Sequence, residues 1–143
     1  PKNSFDLIVM NDLIEHIHDP RQILHKVHEL LKPGGILFLV TPDGESFMAR
    51  VLGTHWFHLK PREHLYYFFQ SHLRRLFRET GFTPYSFRHM GRHRSLHTLA
   101  EKSASLLGPF SNFILRLFHL FRIDSLVIPF NLFDEYAVLA RKS

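Results

Sequence analysis

The stretch from Phe5 to Pro42, FDLIVMNDLIEHIHDPRQILHKVHELLKPGGILFLVTP, constrains the fold more than any other part of the chain. Phe5 to Met10 is an apolar run of strand length with β-branched residues, which suits a strand buried on both faces. Polar Asn11 and Asp12 stand where that strand would end. Asp19-Pro20 supplies a helix start, with Asp as N-cap and Pro at the first helical position, where a missing N–H costs nothing. Ile23, Leu24, Val27, Leu30 and Leu31 follow one stripe of a 3.6-residue period. Arg21, Gln22, His25, Lys26, His28, Glu29 and Lys32 fill the opposite face. Pro33-Gly34-Gly35 closes the helix, and Ile36 to Thr41 is a second apolar run. Two strands joined through a helix of this size cross over right-handedly and lie parallel. Ligands in such sheets bind beyond the C-terminal strand ends. Asn11 to His18 and Thr41 to Glu45 therefore fall on the functional edge.

With 143 residues there is room for one domain and its core. The chain opens on Pro1 and enters a strand four residues later, so it is expected to be a piece of a longer protein. The absence of cysteine removes disulfides, thiolate catalysis and Cys-based zinc sites. It fits a reducing compartment, and a cytoplasmic location is expected. No run approaches the roughly 20 apolar residues that span a bilayer. The net charge of +5 comes from basic residues spread over several segments, so no nucleic-acid partner is expected.

Beyond Pro42-Asp43-Gly44, a turn, Glu45 to Leu52 has the pattern of a short helix with Phe47, Met48, Val51 and Leu52 as its apolar side and Gly53 as its stop. Thr54 to Phe69, THWFHLKPREHLYYFF, is aromatic, rich in histidine and interrupted by Pro61, which predicts an ordered loop above the crevice. Ser71 is the expected N-cap of a helix through Thr80 that turns Leu73, Leu76 and Phe77 inward and Arg74, Arg75, Arg78 and Glu79 to solvent. A third strand is expected over Phe82–Met90, and a basic turn over Gly91–Ser95. Helical spacing then covers Leu96–Leu107 and Phe110–Ile123, with Gly108-Pro109 between them. Glu135–Ala140 is a last short strand. This order matches the second half of a doubly wound α/β sheet with an insertion before its final strand.

The segments FDLIVMNDLIEHIHDP, LLKPGGILFLVTP, HWFHLKPREHLYYF and LRRLFRETGF, taken in this order, resemble the class I S-adenosylmethionine-dependent methyltransferases. The subgroup they are most similar to is the small-molecule methyltransferases related to ubiquinone-biosynthesis enzymes. The resemblance covers residues 4 to 90, and the terminal EYAVLARK resembles that family's last strand. It implies a partial Rossmann-like sheet made of the family's strands four to seven, the last antiparallel and lying between the fifth and sixth. The chain as a whole, residues 1–143, would be the C-terminal part of a catalytic domain, with a helical insertion at about 95–127. The family's glycine-rich motif has no counterpart here, so the fragment is expected to bind cofactor poorly and to be inactive alone.

The resemblance also implies roles for individual residues. Asn11, Asp12 and Leu13 would line S-adenosyl-L-methionine beside its sulfonium, where carbonyls and a carboxylate favour the positive sulfur. The competing reading is that Asp12 only caps the following turn. His16 either packs against the cofactor and orients the Asp12 loop or is a satisfied structural histidine. The His16-Ile-His18 spacing is poor for a metal, and no metal is expected. Glu63 and His64 are the candidates for catalysis, His64 as proton acceptor and Glu63 fixing its tautomer. They equally suit pocket lining or anchoring of the loop. Trp56, His58 and Tyr66 are the candidate contacts to substrate, against a packing role.

The expected function is methyl transfer from S-adenosyl-L-methionine to a small, lipophilic acceptor. The rival reading is a non-catalytic methyltransferase-like module that completes its sheet against a partner. An open sheet edge beside the first strand would invite a homodimer, and the apolar arc of Phe110–Ile123 would suit contact with a membrane surface.

Overall fold

The computed structural model describes residues 2–102, 108 and 110–143, with only the backbone described for Arg92, His93, Arg94, Lys102 and Phe130. Four strands form the main sheet: β1 (Phe5–Asn11), β2 (Leu31–Pro42), β3 (Phe82–His89) and β6 (Glu135–Lys142). Their order is β1-β2-β6-β3. β1 and β2 are parallel, as the intervening helix requires, with Val9 opposite Phe38 and Met10 opposite Leu39. β6 lies between β2 and β3 and runs antiparallel to both, as the resemblance implies.

Helix α1 (Pro20–Leu30) starts where the sequence predicts, the Asp19 carboxylate accepting a hydrogen bond from the Gln22 N–H at 2.9 Å. It ends one residue before the end of its apolar stripe. Pro33 drives the preceding residue out of the helical region, and Leu31 already pairs with Phe5, so β2 starts at Leu31 rather than Ile36. The last strand also runs on to Lys142. The Lys142 ammonium donates to the carbonyls of His28 and Leu31 and to the Asn3 side chain, closing the C-terminal end of α1. Lys142→Met is expected to cost about 1–2 kcal/mol, measurable as a lower urea midpoint.

Helix α2 (Phe47–Leu52) is capped by Ser46, whose hydroxyl accepts from the Ala49 N–H, and it stops at Gly53 as expected. Its apolar side is not part of the core, since Phe47 and Val51 are exposed. Helix α3 (Gln70–Glu79) is capped two residues before the expected Ser71: Phe69 is the N-cap and its carbonyl accepts from the Leu73 N–H. Arg74 is not simply solvated, because its guanidinium lies 4.2 Å from the Phe87 ring centroid.

The core lies on one face of the sheet. Met10, Leu37, Leu39, Phe82, Val138 and Ala140 pack there with Leu24 and Val27 of α1 and Leu73, Leu76 and Phe77 of α3. On the other face β1 is bare, and this corrects the expectation that the first strand is buried on both sides. Leu7 and Val9 are 53% and 55% exposed, and β1 is the outer strand of the sheet.

The segment expected as a basic turn is strand β4 (Arg92–Ser95), paired antiparallel with β5 (Val127–Phe130). Between them lie α4 (Leu96–Lys102) and α5 (Phe110–Leu120). The expected helical positions Ser103, Leu106 and Leu107, and Pro109 of the predicted break, lie outside the described residues. In α5 the apolar arc is left in the open, with Phe110, Phe113 and Leu120 exposed. No helix among the described residues is long and apolar enough to cross a membrane.

Candidate functional site

The C-terminal ends of β1 and β2 carry the polar residues, as the crossover predicts. Asp12 follows β1 with φ at +49°, a left-handed conformation that Asp tolerates better than most residues. The Asp12 N–H donates to the Val40 carbonyl, and the Asn11 amide donates to the Asp12 carboxylate. The following 3-10 turn, Ile14–His16, has Leu13 as its N-cap, with no side-chain capping bond from that residue.

The turn places Glu15 in the interior, 1% exposed. The Thr41 hydroxyl, from the end of β2, donates to the Glu15 carboxylate at 2.9 Å. Burial is the largest influence on this carboxyl and raises its pKa, with Asp12 adding in the same direction.

The loop expected above the crevice is stitched onto this turn. The N–H groups of Leu65 and Tyr66 donate to the Glu15 carbonyl at 2.8 and 3.2 Å. The Tyr66 hydroxyl donates to the His18 carbonyl, and the Tyr67 hydroxyl accepts from the Lys60 N–H. His64 is thereby brought against His16, ring centroids 4.8 Å apart and edge to face. His64 is only 8% exposed. Burial first, then the positive charges of His16 and Lys60, lowers its pKa and favours the neutral imidazole.

The expected support of His64 by the Glu63 carboxylate is not made. That carboxylate is 58% exposed and pairs with Lys60 at 2.9 Å. Glu63 contributes through its carbonyl instead, 2.7 Å from His16 Nδ1. The His64 ring bonds the backbone of His58.

Trp56 and His58 are packed into a second buried polar cluster. The Trp56 indole N–H donates to Asp134, and His58 Nε2 lies 3.3 Å from Glu135. His89 Nε2 lies 3.0 Å from the Asp43 carboxylate. Asp43, Asp134 and Glu135 are all buried. Sequence reading missed these three because strand ends distant along the chain bring them together. Burial, then the negative charge of Asp43, raises the Asp134 pKa, while the Trp56 bond opposes the shift. Below the ordinary value of 3.8 the folded and unfolded chains both hold this proton. As pH rises past it, the unfolded chain ionises more readily and stability falls until the folded group has ionised as well. Asp134→Asn, which keeps an acceptor for Trp56, is therefore expected to gain stability relative to the parent as pH rises above the ordinary carboxyl value of 3.8. Urea titrations across that range measure the difference.

An open cavity lies beside the site, between the start of α1, α3 and the loop, lined by His18, Arg21, Tyr66, Phe68 and His72 among others. Among the sequence candidates, the structure groups His16 and His64, keeps Asn11, Asp12 and Leu13 at the adjoining strand end, and places Tyr66 on the cavity wall.

The arrangement is that of a Rossmann-like methyltransferase fold. An S-adenosylmethionine-dependent methyltransferase from Thermotoga maritima superposes on 99% of this chain and 58% of its own, with a TM-score of 0.60 at 19% identity. One from Archaeoglobus fulgidus does so over 99% and 61%, with a TM-score of 0.58 at 16% identity. The family described as methyltransferase domain matches residues 1–86, and the chain belongs to it. Ubiquinone biosynthesis O-methyltransferases of Xanthomonas campestris and Xanthomonas oryzae are 37% identical to it over 42% of this chain and 31% of theirs. The chain thus spans about a third of the length of these curated relatives.

Proposed function

We propose that this chain forms part of the site of an S-adenosyl-L-methionine-dependent methyltransferase whose acceptor is a small, lipophilic molecule methylated on oxygen. The carrying observation is the left-handed Asp12 at the end of β1, adjoining the turn that buries Glu15 and packs His16 on His64. In this reading Asn11, Asp12, Leu13 and His16 line the cofactor, and the Asp12 carboxylate favours the sulfonium electrostatically. His64 faces the acceptor, and Tyr66 borders it with Trp56 and His58 behind. Glu63 acts only by its carbonyl on His16. Oxygen as the accepting atom is supported by the names of the Xanthomonas relatives. Residues 1–143 are read as the C-terminal part of the catalytic domain, with 95–127 inserted before the last strand and the whole located in the cytoplasm. Calorimetry of S-adenosylmethionine with the full-length gene product tests the reading. Saturable binding is expected, and no heat at millimolar ligand would remove it.

The bare face and open edge of β1 favour a second reading, a non-catalytic module that completes its sheet against another chain or a second copy of itself. A dimer in light scattering that persists without any cofactor binding would support it.

A further inference from the structure

We propose that the cavity between the start of α1, α3 and the aromatic loop is a binding site for an aromatic phosphate monoester. Its volume is about 590 Å³, inside the roughly 300–1,000 Å³ of small-molecule sites. Asp12, His16 and His64 are not among the residues that line it. The inference goes beyond the methyl-transfer reading, with which it shares only Tyr66, and it stands without that reading. Part of the lining is apolar. Phe68 and Leu76 are buried there, and the Tyr66 ring stacks on that of Phe68, centroids 5.7 Å and planes 27° apart. Such a surface takes a flat ring.

The polar part of the lining is built on Arg21 and Arg75, which a single carboxylate joins. Glu79 accepts from Arg75 Nε at 2.8 Å with one oxygen and pairs with Arg21 Nη1 through the other. Both guanidinium groups are thereby oriented, and their remaining N–H groups have no acceptor other than Glu79 among the described residues. His18 and His72 add two imidazoles to the same wall, His72 held by stacking on Phe69 at 4.8 Å between centroids. Formally the two arginines are matched by Glu79 and Asp19. Asp19, however, is committed to the first turn of α1, where it accepts from the Gln22 N–H at 2.9 Å. Its charge sits at the positive end of that helix and is partly offset there. What the wall has left to offer is donors and positive charge. Two oriented guanidinium edges and two imidazoles suit a group with three terminal oxygens and up to two negative charges better than a carboxylate with two oxygens and one charge. A phosphate monoester has that chemistry, and an aromatic one also fills the Tyr66–Phe68 surface.

Calorimetric titration of the full-length gene product with phenyl phosphate tests the site, with inorganic phosphate and benzoate as comparators. One equivalent of phenyl phosphate is expected to bind, about tenfold more tightly than inorganic phosphate because its ring is buried, and more tightly than benzoate. Arg21→Gln and Arg75→Gln are each expected to weaken binding by about 10–100-fold. Arg78→Gln, on α3 but outside the cavity lining, is expected to leave it unchanged. All three positions are exposed, so loss of the fold is not expected, and near-ultraviolet circular dichroism checks it. Saturating S-adenosylhomocysteine is expected to leave phenyl phosphate binding in place. Displacement by S-adenosylhomocysteine, absence of saturable binding at millimolar phenyl phosphate, or parent-like affinity in either cavity-arginine variant overturns the proposal. Arginine-dependent binding by a gene product that takes up no S-adenosylmethionine would overturn the methyl-transfer reading and leave this site standing.

Discussion

Phe77→Ala is expected to lower the stability of the fold by about 3–5 kcal/mol, read as a fall in the urea midpoint at unchanged slope. The Phe77 ring is fully buried on α3 and meets Phe82 edge to face, centroids 6.2 Å apart. Deleting it removes apolar surface from the single face on which α1 and α3 cover the sheet. Little nearby can offset the loss. The Arg21–Glu79 pair that links the two helices is partly exposed, and such surface pairs contribute about 0–1 kcal/mol. Domains of this size have about 5–15 kcal/mol in total, so this variant approaches the unfolding threshold. Phe77→Leu, which keeps most of the volume, is expected to cost under about 1.5 kcal/mol. Equal losses for both would mean that volume is not the cause.

The parts of this fold readable from sequence are those whose determinants are local. The Asp19-Pro20 cap, the α1 stripe and the two flanking apolar runs specify a parallel pair over fewer than 40 residues, and the structure has that pair. An apolar run such as Phe5–Met10 does not say whether both of its faces are covered, and here Leu7 and Val9 are bare. Arg92–Ser95 carries no alternation of polarity. It becomes a strand only through pairing with Val127–Phe130, which no window around it contains. The same holds at the site. Strand-end logic located Asn11 and Asp12, and the aromatic loop drew attention to His64. That Glu15 turns inward follows from the 3-10 turn and from Thr41, whose hydroxyl reaches it from the next strand. Glu63 adjoins His64 in the sequence, yet neighbouring side chains in a loop point apart, and its carboxylate finds Lys60.

On the reading of His64 as proton acceptor, His64→Ala in the full-length gene product is expected to reduce kcat/KM for the acceptor by about 100-fold or more. Glu63→Gln is expected to leave it within about threefold, because this carboxylate faces solvent and its contribution to His16 is made by the backbone. A larger loss for Glu63→Gln than for His64→Ala would reverse the two assignments.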